Sequence, residues 1–162
     1  MPATRFTPLG KALMAYVIGP VHPADTPPRF SPPAAGSILR GEYLASRVAN
    51  CAGCHSQRDL KDGSYIGPRF AGGMRMPSEA DPSVVFVTPN LTPHPEYGVL
   101  AGWTEDQFIA RFRAGPLQAG THMPWAAYGR MSDSDLRAVY RFLTSLEPVA
   151  FDPGPVAQSK SD

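Results

Sequence analysis

Apolar residues recur at helical spacing in three places along the chain. The clearest is near the end, where Leu136, Val139, Tyr140 and Leu143 follow the i, i+3, i+4, i+7 rhythm of one helix face. Ser132 is placed to cap this helix. Met131, just before the cap, can staple onto Leu136 at the fourth helical position, and the helix runs out near Leu146, before Pro148. A second helix is predicted after Trp103. Thr104 is its N-cap, and Gln107 three residues on completes a capping box. Phe108, Ile109 and Phe112 form its buried face, and Gly115 and Pro116 stop it. The remaining helix runs from Ser37 to about Asn50. Gly41, Ala45, Val48 and Ala52 make a stripe of small residues along it, beside an apolar stripe of Leu44, Val48 and Cys51. Glycine on its inner face allows close approach to a partner, and Cys51 is expected at its end, facing inward.

Strand signals are sparse. Only "SVVFVT" (83–88) is rich in β-branched and aromatic residues, and it is short and isolated, so no substantial sheet is expected. The predicted class is mostly α, with about three main helices and long loops. Roughly fifty residues between the first two helices have little regular pattern, which is a long loop for a compact domain. Three short helices also make a small core, so a further group is expected to fill the middle.

The ends read differently from the centre. Residues 1–35 divide into an apolar arm (7–19) and the linker "PVHPADTPPRFSPPAA" (20–35), whose six prolines make it semi-rigid. The run "ALMAYVIG" (12–19) follows Lys11 but precedes no small-x-small cleavage site, so it reads as an arm rather than a signal segment. The compact domain is expected over 36–150, followed by a flexible tail at 151–162.

Composition sharpens this picture in two ways. With 19 prolines and 15 glycines in 162 residues, long loops are expected. A formal net charge of +1, without a basic block, excludes strong electrostatic attraction to nucleic acid or an anionic membrane. No stretch approaches the roughly 20 apolar residues that span a bilayer.

Both cysteines fall in "VANCAGCHSQ" (48–57), with a histidine directly after the second. A structural zinc site wants four ligands, usually two pairs, and no second pair exists; His22, His94 and His122 form no paired spacing. A thioredoxin-like dithiol wants the motif between a strand and a helix of a βαβ unit, whereas here it follows a helix. A bridge between Cys51 and Cys54 closes a tiny loop and stabilises little. The fourth reading is C-x-x-C-H, the attachment motif of c-type haem. Two thiols at this spacing add across the two vinyl groups at one ring edge, and the next residue places an imidazole under the iron. Haem would also supply the missing core.

Iron held by histidine on one side is commonly held by methionine or histidine on the other. The candidates are Met74, Met76, Met123, Met131, His94 and His122. Met131 already has a use as the staple. Met123, in "GTHMPWAAYGR", lies in a loop between two helices, where it can fold over the opposite ring face. Pro124 stiffens that loop and Trp125 can shield it. Met123 is the favoured ligand and the adjacent His122 its main rival.

Four stretches occur together in one order: "RGEYLASRVANCAGCH", "FAGG", "TPNLTPHPEYGVLAGWTEDQF" and "MPWAAYGRMSDSDLRAVYRFLTSL". Over about residues 38–147 the chain resembles the class I cytochrome c domains of bacterial multihaem subunits. Those subunits serve membrane-bound alcohol, aldehyde and gluconate dehydrogenases. The resemblance implies the class I cytochrome c fold around one covalent haem c. Cys51 and Cys54 become the thioether residues, His55 the proximal ligand and Met123 the axial ligand. Pro68, in "IGPRFAGG", matches the proline whose carbonyl accepts from the proximal imidazole. Asn90 and Trp103 match positions near the haem edge, and Gly41 or Tyr43 against Tyr140 matches the contact of first and last helices. Family subunits usually carry three haem motifs and this chain has one. It is therefore expected to be one domain of a larger protein, or a single-haem member tied to a complex by its arm.

The implied function is electron transfer rather than enzyme catalysis. A redox partner protein, such as a membrane-bound oxidoreductase complex or another cytochrome domain, would exchange electrons with an exposed ring edge. The expected location is periplasmic, or outward-facing on the membrane. The alternative is a haem enzyme or gas sensor with an open or His122-lined distal site.

Overall fold

The computed structural model describes residues 6–18, 31–59 and 61–160. The chain forms two compact units, Met1–Ser31 and Pro32–Asp162. In the first, α1 (Pro8–Leu13) is capped by the Thr7 hydroxyl, which accepts from the Gly10 N–H, and continues into a π-helical turn (Met14–Ile18). Its Leu9, Tyr16 and Val17 side chains are exposed. Most of the expected linker lies outside the described residues.

In the second unit, α2 (Ile38–Tyr43) starts at a Ser37 cap and passes into a π-helical turn (Leu44–Val48). The Ala49 N–H reaches back to the Leu44 carbonyl at 2.7 Å. The wider π turn changes the phase of the helix. Gly41, Leu44 and Ala45 face inward as expected, but Val48 is rotated out of the stripe and is 58% exposed. Asn50 then takes a left-handed conformation (φ 50°), which Asn tolerates better than most residues. It starts the single turn α3 (Cys51–Cys54).

The capping expectations hold in detail. Thr104 and Gln107 form the reciprocal box at the start of α4 (Glu105–Ala114). Then come the short α5 (Trp125–Tyr128) and α6 (Asp133–Thr144), which is capped by Ser132. Helix α6 packs against α2 and α4. It buries Leu136, Val139, Phe142 and Leu143 against Leu44, Phe108, Ile109 and Leu100, and Met131 packs onto this core. Each such large side chain contributes roughly 1.5–3 kcal/mol on full burial.

The architecture is mixed rather than mostly α. A three-stranded antiparallel sheet has β2 (Val84–Val87) at its centre, flanked by β1 (Arg75–Pro77) and β3 (Ala157–Ser159). Met76 pairs with Phe86, and Phe86 with Ala157. The expected strand signal is β2, whose Val85, Phe86 and Val87 are buried. Its neighbours have no strand composition, and pairing with β2 supplies their order. The segment expected as a flexible tail thus carries β3.

Ion pairs tie the helices on the outside. Glu105 accepts from Arg141 at 2.6 Å and from Arg137 at 3.1 Å, Arg137 reaches Asp106 at 2.8 Å, and Arg40 reaches Asp135 at 2.9 Å. The hydrogen bond from Arg141 holds the Glu105 carboxyl below its ordinary value. Its stabilising contribution is therefore present above the unfolded value of about 4.3 and is lost as pH falls through the lower folded value. Glu105→Gln should lower stability at pH 7 by at most about 1 kcal/mol, because the pairs are solvent-screened. Denaturant midpoints measured from pH 7 down to pH 3 should converge with those of the parent chain; a gap that stays constant would deny the ionic role.

Candidate haem site

The Cys51–His55 segment is stitched to the loop that follows it. The Gly72 N–H donates to the His55 carbonyl at 2.9 Å, and the Phe70 N–H donates to the buried Ser56 hydroxyl at 2.9 Å. Phe70 adopts a positive φ of 63°, an unusual conformation for so bulky a residue. Its ring meets Phe142 of α6 edge-on at 5.5 Å, which anchors the loop to the helical core.

His55 is buried, and its Nδ1 lies 3.0 Å from the Pro89 carbonyl oxygen. A carbonyl can only accept, so Nδ1 carries the proton and donates, which leaves Nε2 with a free lone pair. Burial holds the imidazole below its ordinary pKa, which also favours the neutral ring. The acceptor expected from sequence was Pro68, and here the structure differs. The Pro68 carbonyl instead accepts from the Ala71 N–H within a turn, at 3.4 Å. Gly72 explains how the Thr88–Pro89 segment gets so close. A Cβ there would stand 2.4 Å from the Thr88 carbonyl oxygen and 2.6 Å from that of Pro89. Only glycine permits this approach, and Gly72 also sits at φ 78°.

Both cysteines are free thiols, Cys51 half-buried and Cys54 exposed. Burial pushes the Cys51 thiol up to about 11. A redox-active dithiol is built to lower a thiol pKa, so the burial of Cys51 opposes that reading. Among the described residues no three His, Cys, Asp or Glu side chains cluster to hold a metal ion.

Met123 lines a cleft of about 320 Å³ with Thr121, Pro124 and Trp125. The Trp125 indole Nε1 is buried and has no hydrogen-bond partner there, although its ring stacks under Arg111 at 4.0 Å. A buried donor left unpaired costs about 1–3 kcal/mol, so this site suits an additional polar acceptor. The rivals of Met123 have other uses. His122 turns Nε2 to the Pro77 carbonyl and has Nδ1 3.2 Å from Glu79, so both ring nitrogens already have partners. His94 stacks on Tyr97, and its Nδ1 accepts from the Glu96 and Tyr97 N–H groups. Met76 lies in β1, Met74 lines a separate cleft with Arg58, and His22 falls outside the described residues.

The Cys–His segment and the Met123 loop are joined through Tyr128. Its hydroxyl donates to the Ala49 carbonyl, two residues before Cys51, at 2.5 Å. Sequence reasoning missed both Tyr128 and Pro89. The two other residues expected at the ring edge serve the frame. The Trp103 carbonyl accepts from the Tyr140 hydroxyl. Asn90 is fully buried, and all four of its amide hydrogen-bonding positions are taken.

Known proteins are similar to this chain in sequence. Over 143 residues, 85% of this chain, it is 32% identical to the cytochrome c subunit of the quinone alcohol dehydrogenase of Gluconobacter oxydans. Over 127 residues, 75% of the chain, it is 34% identical to the cytochrome subunit of fructose dehydrogenase of Gluconobacter japonicus. The chain resembles the cytochrome c domains of such subunits. This cytochrome c-like chain spans about a quarter of their length, 26% and 24% respectively. It is also 26% identical over 130 residues to a dihaem c-type cytochrome of Cereibacter sphaeroides, covering 78% of this chain and 42% of that protein. No protein-family model matches it.

The residues present fit a c-type haem. Two free thiols and a neutral imidazole with a bare Nε2 occupy one turn, a thioether sulfur lines a cleft, and a buried indole donor awaits an acceptor.

Proposed function

We propose that this domain is a single-haem electron carrier in which Cys51 and Cys54 hold the cofactor covalently and His55 and Met123 bind its iron. The observation that carries this reading is the fixed tautomer of His55, whose Nδ1–H on Pro89 leaves Nε2 as the only ring atom able to bind a metal. When bound, the iron supplies a one-electron ferrous–ferric couple, with a methionine ligand favouring the reduced form. The chain has two cysteines, enough for one doubly attached haem. His55 and Met123 would fill both axial positions, so no substrate site remains. Cys54 is exposed, so the cofactor edge it would hold faces a partner.

The partner in this reading is a redox protein, either a membrane-bound oxidoreductase complex or another cytochrome domain, met on the periplasmic or outward face of the membrane. A net charge of +1 predicts a weakly steered contact, with rates little affected by salt. The arm and proline-rich linker would act as a tether. No helix among the described residues is long and apolar enough to cross a membrane.

The test begins with the haem-loaded protein. Haem should stay with the chain after denaturation, and the oxidised protein should show the weak Met-to-iron charge-transfer band. Met123→Ala should abolish that band and let the ferrous protein bind carbon monoxide. Rapid carbon monoxide binding by the parent protein would instead point to a gas-binding site and overturn the carrier reading.

A further inference from the structure

We propose that Tyr128 is a positioning residue, clamping the Met123 loop onto the Cys51–His55 segment through the hydrogen bond from its hydroxyl to the Ala49 carbonyl. The inference rests on the haem reading above and adds to it a residue that touches neither iron nor thiol. The two parts of the proposed ligand set are far apart in sequence, and Met123 lies in a loop with little internal structure. The Met123 N–H has only a long, 3.4 Å contact to the Thr121 hydroxyl, and its carbonyl accepts from the Trp125 N–H at 2.8 Å. The loop is tied to the Pro77–Glu79 segment through Gly120 and His122, but neither of these ties reaches the thiol-bearing segment, so a separate anchor is needed to hold a sulfur at a fixed distance from iron.

Helix α5 offers two anchors. On one side, the Arg113 guanidinium of α4 donates to the carbonyls of Gly129 and Met131. That fixes α5 to the helical core, but not to the thiol-bearing segment. On the other side, the Tyr128 hydroxyl spans 79 positions of sequence to reach Ala49, at the end of the π-helical turn that leads into Cys51. Carbonyls at a helix end lack intrahelical partners, so this acceptor is available to a side chain. The ring is aimed by packing on Phe112 at 6.3 Å, which also supports Trp125 at 5.7 Å. Burial is the main cause that pushes the Tyr128 hydroxyl up to about 12. The group therefore keeps its proton, and its role as donor, through neutral and mildly alkaline solution.

The experiment uses the haem-loaded full chain and imidazole as a competing ligand, followed by the visible spectrum of the ferric protein. Imidazole binds only when Met123 leaves the iron, so its affinity reports how firmly the loop is held. Tyr128→Phe keeps the ring and removes the donor. It should raise imidazole affinity about 5- to 10-fold, the fold-change equivalent of one net hydrogen bond. Ser37→Ala removes the cap of α2, far along the chain from the loop, and serves as a control for general loosening. It should leave the affinity within about twofold of the parent. The clamp is overturned if Tyr128→Phe leaves the affinity unchanged, or if Ser37→Ala raises it as much. A parent protein that binds imidazole with no charge-transfer band to displace overturns the Met123 reading itself, and the clamp with it. A parent that has the band, paired with a Phe variant that keeps both band and affinity, overturns the clamp alone.

Discussion

Gly41→Ala should destabilise the domain by about 3 kcal/mol or more, a large fraction of the roughly 5–15 kcal/mol that holds a domain of this size. Two effects oppose each other at this position. Alanine is the better helix former, and in an exposed helix the exchange would stabilise by about 1 kcal/mol. Here, however, a Cβ on residue 41 would stand 1.9 Å from the Ala138 carbonyl oxygen, 2.6 Å from its carbon and 2.7 Å from the Phe142 Cβ. The first two are backbone atoms of α6, so no rotamer change relieves the clash. The helix itself must move away, and Phe142, Val139 and Leu143 move with it. The clash therefore outweighs propensity. Guanidinium melts should show a lower midpoint with an unchanged slope. A midpoint equal to or above that of the parent would mean that α2 and α6 are not in contact at Gly41.

A close approach at Gly41 was legible from the small-residue stripe, and the family resemblance named the last helix as the partner, but Gly41 meets Ala138 and Phe142 of that helix rather than the expected Tyr140. The legible features share a cause: they are set within a few residues. The Thr104–Gln107 box and the Ser132 cap each depend on a neighbour three positions away and fall where the pattern placed them, and Met131 packs on the cluster that holds Leu136. Val48 failed because its burial depends on helix phase, and the π turn at Leu44–Val48 changes that phase without leaving a mark in the apolar pattern. Strand β3 failed for a different reason. Ala157, Gln158 and Ser159 have no strand preference of their own, and only pairing with Val84–Phe86, some seventy residues earlier, makes them a strand.

The candidate site divides along the same line. Cys51, Cys54 and His55 are contiguous, so their chemistry can be read from spacing alone. The surrounding groups come from distant segments that fold onto them. Pro89 supplies the carbonyl on His55 because Gly72 lets the Thr88–Pro89 segment approach, a relation between residues seventeen and thirty-four positions away from His55. Tyr128 carries no local signal at all. Its position five residues after Met123 gains meaning only when Ala49 lies opposite it.

Asn90→Asp should cost more at neutral pH than any other single-atom change near the site, about 3 kcal/mol or more at pH 7. The Asn90 Nδ2 donates to the Val149 carbonyl at 2.9 Å and to the Phe151 carbonyl at 3.1 Å. Its Oδ1 accepts from the Thr92 N–H at 2.9 Å and from the Thr92 hydroxyl at 2.7 Å. Aspartate keeps the two acceptor contacts but turns a second oxygen toward two carbonyls, in a place closed to water. An ionised carboxyl there is buried without a cation, and a protonated one satisfies at most one of the carbonyls. Its folded pKa must therefore rise above the unfolded value of about 3.9, so the penalty is full at neutral pH and shrinks as pH falls through the raised value. Urea melts at pH 7 and pH 4.5 should show the gap to the parent protein narrowing in the acid, whereas Asn90→Ala, which has no charge to lose, should keep a constant gap. The same substitution should release residues 149–151 and, through them, strand β3, and limited proteolysis at the C-terminal end would report that. Because Asn90 directly follows the Pro89 carbonyl that fixes His55, loss of the clamp should also loosen the imidazole. A variant with parental stability at pH 7 would mean that this amide does not join the two segments, and that the His55 acceptor is held by Gly72 alone.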